Sequence, residues 1–325
     1  MRGRYTIVLA LGLAVGACSG LEPLTEPLSE QVAIETLDLP GRLWDPFMPS
    51  PANGVPVTIQ GLLTIPATEV PVPAVIIAHG CGGVSGGELG WIPDLEAVGI
   101  ATLVIDSFRA RGIESICSGE QTINVASPIV DVYRAADLLA ANPYIDDSKI
   151  AVMGLSFGGR AALWSALTRF QETYHGRPFA AYVAFYPSTC YIRLRDEAEV
   201  TGGPIRIFHG TADDWTPIDQ CREMIDRLKT SGVDAALYTY QGAPHAFDNK
   251  SLAWAQIQLD LDFASPRNCT FVEEKGSIID PQTSLIAGVD SPCVERGVHY
   301  GYDSAAREAA KEDLIALLGG VFDDR

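Results

Sequence analysis

Basic residues are scarce in this chain of 325: 23 Lys and Arg stand against 41 Asp and Glu, a formal charge of −18. A surface so acidic repels polyanions and anionic lipid headgroups, so nucleic acid is excluded as a partner and the acidity reads as a solubility device. No C-x-x-C pair occurs among the seven cysteines, so the close-spaced zinc pattern is missing and no metal is expected. The sequence holds no internal repeat and no low-complexity tract, which excludes repeat architectures and long disordered regions. No apolar run reaches the roughly 18–20 residues that cross a bilayer as a helix. What is present, 47% hydrophobic and 20% charged residues, suits one large domain with an ample core.

Arg2 and Arg4 precede an apolar stretch over residues 6–15, which ends in Val15-Gly16-Ala17-Cys18-Ser19. This resembles a bacterial lipoprotein signal, in which residues 1–17 are removed and Cys18 becomes the lipidated first residue. An ordinary secretory signal cut near Ala17 is the alternative. Either reading implies export to the periplasm or outer membrane, with a lipid anchor as the expected link to a membrane. Export changes the meaning of the other cysteines. With Cys18 set aside, Cys81, Cys117, Cys190, Cys221, Cys269 and Cys293 remain. An even number in an oxidising compartment favours disulfides over metal ligands, with the pairing left open by spacing.

Residues 18–50 carry Pro23, Pro27, Pro40, Pro46 and Pro49 with little periodicity, and read as a tether and entry segment ahead of a domain over 51–325. Residues 55–66 alternate as an antiparallel edge strand would. Continuous apolar, branched runs at 72–78 and 101–106 read as strands buried on both faces. Helical patterns follow at 89–98 and 129–141, and a strand at 149–153 leads into a helix at 160–167. Further strands are expected at 180–186, 205–209 and 235–240. A helix over 217–230 starts at Pro217, where the missing N–H costs nothing, and residues 304–321 form a closing helix. The alternation predicts an α/β fold, a mostly parallel central sheet with helices on both faces. Between 249 and 303 a long stretch with Cys269 and Cys293 reads as an insertion, at about 250–303, held by a disulfide.

The most informative run is Gly154-Leu155-Ser156-Phe157-Gly158-Gly159, between the strand at 149–153 and the helix that follows. Strand, Gly-x-Ser-x-Gly turn and helix make a nucleophile elbow, with the serine exposed above the carboxyl edge of the sheet. Gly83-Val84-Ser85-Gly86-Gly87 fits the same pentapeptide but sits in a glycine-rich loop several residues past its strand, so Ser156 is the expected nucleophile. A serine hydroxyl needs a histidine to take its proton and a carboxylate to hold that histidine, each following a later strand. His209-Gly210-Thr211-Ala212-Asp213-Asp214 follows one, and Gly242-Ala243-Pro244-His245 follows the last. His245 alone has the right order and context; His79 and His209 read as loop-shaping residues, and His175 and His299 lie away from strand ends. Asp213 is the expected acid, nearest its strand, with Asp214 as the alternative in a solvated or capping role. The oxyanion would be held by backbone N–H groups of Phe157 and of Cys81 in His79-Gly80-Cys81-Gly82-Gly83, with Gly82 second to Cys81.

These motifs, together with Asp106-Ser107-Phe108-Arg109-Ala110-Arg111-Gly112, resemble the dienelactone hydrolase group of the α/β-hydrolases, and more loosely the catalytic domains of prolyl oligopeptidases. The likeness covers roughly residues 55–250. The namesake enzymes use a cysteine nucleophile and are cytoplasmic, whereas this chain carries Ser156 and a leader. The resemblance implies an α/β-hydrolase fold and an esterase or lactonase that works through an acyl-enzyme on a small-molecule ester, without cofactor. A peptidase and a non-catalytic surface lipoprotein are the competing readings. In the usual sheet of that fold the strands ending at Ala78 and Asp106 are neighbours, which pairs Cys81 with Cys117. The same logic pairs Cys190 with Cys221 and leaves Cys269 with Cys293. Arg109 and Arg111, beside the oxyanion loop, could grip a substrate carboxylate, or pair with a local acid such as Glu114.

Overall fold

A computed structural model describes residues 21–119, 122–253 and 259–324. The expected leader over residues 1–17 and the lipidation candidate Cys18 lie outside the described residues. The large sheet begins with β1 (Leu28–Asp38), β2 (Val55–Ile65), β3 (Val72–Ala78), β4 (Ala101–Asp106), β5 (Ile145–Leu155) and β6 (Tyr182–Phe185). A two-residue strand, β7 (Ile192–Arg193), belongs to a smaller sheet, and β8 (Ile205–Gly210) and β9 (Ala235–Tyr240) complete the large one. Its order is β1-β2-β4-β3-β5-β6-β8-β9. The pairs β1–β2 and β2–β4 are antiparallel and all later neighbours are parallel.

Helices α1 (Gly86–Leu89), α2 (Ile92–Glu96), α3 (Ala126–Ala140), α4 (Phe157–Trp164), α5 (Thr168–Tyr174), α6 (Ile218–Thr230) and α7 (Ser304–Asp323) fill the crossovers and close the chain. Side chains of a strand alternate between faces, and the core divides accordingly. Val75 and Ile77 join a cluster with Leu95 of α2 and Ala310 and Leu314 of α7. Ala74, Ile76 and Ala78 join the opposite one, with Ile129 of α3, Ala162 of α4 and Ile225 of α6. Each fully buried branched side chain contributes about 1.5–3 kcal/mol, so β3 is held from both sides. The pattern read as one helix over 89–98 is two short helices. They break at Gly90-Trp91, and Pro93 stands in the first turn of α2, where its ring is tolerated.

The tether reading of residues 18–50 is corrected. Leu28–Asp38 is a full edge strand, paired with β2 residue by residue from Leu28↔Ile65 to Asp38↔Val55. Arg111 locks it in place, which also corrects the assignment of that residue to substrate. Its guanidinium is buried, donates to both carboxylate oxygens of Asp131 in α3 at 2.8 and 2.9 Å, and donates to the Leu37 carbonyl at 2.9 Å. Asp38 adds a contact at 3.3 Å, and Thr36 donates to Asp131 at 2.7 Å. The acid that pairs with Arg111 is therefore Asp131, not Glu114. The ion-pair reading holds for Arg111, with a carboxylate of α3 in place of a local acid.

Residues between β9 and α7 form strands outside the large sheet. β10 (Leu259–Ser265) pairs with β14 (Glu295–Tyr300), while β11 (Phe271–Glu274), β12 (Ser277–Asp280) and β13 (Leu285–Ile286) line up with β7. Glu273 ties this sheet to α5, accepting from Arg169 at 2.7 and 2.9 Å. Three disulfides, Cys81–Cys117, Cys190–Cys221 and Cys269–Cys293, join the pairs that the strand order implies. Among the described residues no helix is long and apolar enough to cross a membrane.

Removing one partner of a buried ion pair leaves the other uncompensated, at a cost of about 3–5 kcal/mol. Arg111→Ala is expected to lower the unfolding free energy by that amount in a urea titration. Arg109→Ala, whose side chain is 91% exposed, should change it by less than about 0.5 kcal/mol.

Candidate active site

Ser156 stands at φ 51° and ψ −107°, in a region that side-chain-bearing residues rarely occupy. The glycines around it make the turn possible. A Cβ on Gly154 would lie 2.0 Å from the Gly158 carbonyl oxygen, and one on Gly158 would lie 2.1 Å from the Ala78 carbonyl oxygen. β5 therefore delivers Ser156 against the end of β3, and α4 begins at the next residue. The first-turn N–H groups of α4, that of Phe157 included, have no acceptor within the helix and face the serine.

Two loops from neighbouring strands meet the serine. His245, after β9, places Nε2 3.1 Å from Ser156 Oγ and Nδ1 2.8 Å from Asp213 Oδ2. Asp213 follows β8. Its other oxygen accepts the Trp215 and Thr216 amides at 2.9 and 2.8 Å. Burial opposes its ionisation, but the imidazoles of His245 and His209 and its hydrogen bonds hold the carboxyl below the ordinary range. The structure thus brings together Ser156, His245 and Asp213, all buried, from three loops on one edge of the sheet.

The other candidates fall elsewhere. Asp214 is partly exposed; it accepts from the His299 amide at 2.9 Å and meets His299 Nδ1 at 2.7 Å, fastening β14. His79 accepts the Ser107 amide at 3.1 Å and packs on Phe108, shaping the loop it stands in. Burial pushes the His209 imidazole toward its neutral form. Ser85 caps α1, accepting from the Gly87 amide and donating to Glu88 at 2.8 Å. Glu88 reaches back to the Gly80 amide at 3.1 Å, bracing the loop that carries Cys81. Arg109 is exposed and lies 3.6 Å from Asp106.

Several residues of the site carry no sequence signal. Thr216 donates to Asp213 Oδ2 at 3.0 Å and lies 3.2 Å from His245 Nδ1, so it sits at the joint between acid and base. The rings of Tyr186 and Trp215 flank His245 at 4.5 and 4.9 Å. Tyr186 donates to the buried Asp248, which also accepts from Trp91 Nε1 at 2.7 Å. Burial pushes the Asp248 carboxyl up, against the pull of both hydrogen bonds. Arg160, one turn after Ser156, is buried; it donates to the Ser188 carbonyl at 2.9 Å and lies 4.4 Å from the Trp44 ring. Burial lowers its pKa.

Cys81, Ser156, Phe157, Arg160 and Thr216 border a cavity of about 130 Å³, walled largely by Leu43, Trp44, Ile116 and other apolar side chains. Among the described residues no group of three or more His, Cys, Asp or Glu is placed to hold a metal ion.

A serine on a strained strand–helix elbow, met by an acid and then a histidine from later loops of a parallel sheet, defines an α/β-hydrolase fold. The chain belongs to the dienelactone hydrolase family, whose model matches residues 59–321. It is similar in structure to a dienelactone hydrolase-like promiscuous phosphotriesterase from metagenomic libraries, with TM-score 0.57 and 15% identity over 90% of this chain and 98% of that one. An esterase of Thermogutta terrifontis gives TM-score 0.47 and 21% identity over 62% of this chain and 84% of that one. In sequence, an uncharacterized peptidase of Bacillus subtilis is 24% identical over 58% of this chain, which spans 34% of that relative's length.

The two adjacent aspartates should part in a kinetic test. Asp213→Asn is expected to lower kcat on a p-nitrophenyl ester by roughly 10⁴-fold, as loss of the orienting carboxylate does in a serine protease. Asp214→Asn, which loosens β14, should cost under about tenfold. Steady-state kinetics of both variants decide it, and the reverse ranking would move the acid to Asp214.

Proposed function

We propose that this protein is an exported serine hydrolase that cleaves a carboxylic ester or lactone of a small molecule through an acyl-enzyme. The observation that carries the reading is the chain of contacts from Ser156 Oγ to His245 Nε2 at 3.1 Å and from Nδ1 to Asp213 at 2.8 Å. Ser156 Oγ attacks the ester carbonyl while His245 takes its proton, and the imidazolium formed is stabilised by Asp213. The oxyanion falls between the amides of Phe157 and Cys81, two donors that cost no reorganisation because α4 and the braced loop already hold them. His245 then protonates the departing alcohol, leaving the acyl group on Ser156. Water, activated by the same histidine, releases the acid and restores the serine. No organic cofactor or metal enters these steps.

The leader and the three disulfides support an oxidising compartment, and Cys18 is the proposed site of a lipid anchor. Cys18→Ala should move the protein from the membrane to the soluble fraction of the cell envelope, as immunoblotting of fractions would show.

A fluorophosphonate probe tests the nucleophile. It should add one label, located at Ser156 by peptide mass spectrometry. Ser156→Ala should abolish both the label and ester turnover, whereas Ser85→Ala should retain both. Persistent labelling of the Ser156→Ala protein would overturn the assignment, and turnover of peptides but not esters would favour a peptidase.

A further inference from the structure

The space around Ser156 has two unequal sides. The cavity of about 130 Å³ lies toward Phe157, Ile116 and Val294. A broader cleft of about 450 Å³ opens on the other side, bordered by His245, Tyr186 and the loop Gly80–Gly83. Ser156, Trp215 and the Cys81–Cys117 bridge border both spaces, so they form the partition between them. His245 borders only the broad cleft. In the proposed reaction the histidine that activates the serine must also protonate the leaving oxygen, so the alcohol departs on the histidine's side. The acyl group is then left with the narrow cavity. An engineered apolar cavity of about 150 Å³ in another protein binds benzene, which sets the scale of what fits.

The broad cleft has an aromatic wall. Trp215 packs against Phe263 of β10 at 5.3 Å and lies 6.4 Å from Tyr300 of β14. Trp215 is fixed by donating from Nε1 to the Ala264 carbonyl at 3.1 Å. Leu261 and Phe263 come from the strands that lie outside the large sheet, so that segment furnishes a wall the sheet itself does not. The polar residues Asn249 and Ser251 border the same cleft. Flat aromatic faces with polar groups nearby suit the face of a ring.

Resting on the serine hydrolase reading, we propose that the natural ester joins a compact acyl group, no larger than about a benzene ring, to a bulky ring-bearing alcohol that stacks on the Trp215–Phe263 wall. The alcohol ring is an aryl group or a sugar; both present the flat face this wall would receive.

The test is a two-way ester series on the full-length protein. With p-nitrophenol held constant, kcat/KM should be highest for acetate to butanoate and fall at least about tenfold at octanoate. Ile116→Ala or Val294→Ala, which enlarge the cavity, should recover part of the octanoate rate. With acetate held constant, ethyl acetate is compared with 2-naphthyl acetate and with an acetylated methyl glucoside. Phe263→Ala should lower the ratio of the preferred ring ester to ethyl acetate about tenfold, and Leu261→Ala should do so less. Comparing variant with wild type cancels the intrinsic reactivities of the esters. Whichever ring ester gains names the source of the ring. A rate that is flat or rising through octanoate, or ratios that neither variant changes, would overturn the proposal. Fluorophosphonate labelling is read in parallel. Lost labelling defeats the serine reading itself, whereas intact labelling with the opposite chain-length profile defeats only this inference.

Discussion

The site depends on a close approach of backbone to backbone at the end of β5. Ser156 takes its positive φ beside two glycines that lack a Cβ: one on Gly154 would lie 2.0 Å from the Gly158 carbonyl oxygen, and one on Gly158 would lie 2.1 Å from the Ala78 carbonyl oxygen. A non-glycine residue in such a conformation costs on the order of 1–3 kcal/mol, and it persists only where its surroundings over-determine it. They do so here. β5 lies between β3 and β6 in the middle of the sheet, and the Ser156 amide donates to the Phe185 carbonyl at 2.9 Å. All eight residues of α4 are buried. The strain is thus carried by the best-packed part of the molecule, and its product is a hydroxyl held clear of its own helix.

The histidine is held differently. His245 stands on a loop, and loops gain precision only from side-chain contacts. Asp213 and Thr216 fix its Nδ1 edge, Tyr186 and Trp215 enclose its ring, and Asp248, three residues on, anchors the same loop to Tyr186 and Trp91. The Tyr186 carbonyl also accepts from Thr216 at 3.2 Å, so one tyrosine, itself at φ 36°, couples the acid loop to the base loop. The serine is positioned by backbone, and the histidine by a polar network whose members lie far apart in sequence.

That difference explains what could be read before the fold was known. The elbow is local, so its glycines, flanking strand and following helix stand side by side in the chain. The order serine, acid, histidine and the alternation of strands and helices are equally legible, as are the disulfide pairs once strand neighbours are known. Partners chosen by packing are not. Leu28–Asp38 has a weak pattern by itself and becomes a strand because β2 offers an edge over eleven residues. Arg111 looks like a site residue until Asp131, 20 positions away, claims it. Asp214 looks idle until the strand bearing His299 folds over it. Thr216, Tyr186 and Asp248 leave no trace because nothing in their spacing distinguishes them from ordinary turn and core residues.

The cross-links complete the same logic. Cys81 follows β3 and Cys117 follows β4, while Cys190 follows β6 and Cys221 lies in α6, after β8. These bonds tie the loops that emerge beside Ser156, and Cys269–Cys293 closes the excursion between β10 and β14, the two strands that wall the broad cleft. Each spans 24 to 36 residues, a separation at which a disulfide stabilises by roughly 3–4 kcal/mol. The sheet needs no such help, since both of its faces are packed. The loops do, because they lie outside the core and yet hold the Cys81 backbone, a partition and an aromatic wall around a serine that the elbow fixes. Cross-linking the loops and packing the strands are therefore two answers to one requirement: a hydroxyl fixed by its elbow is matched by surfaces around it that are fixed as well.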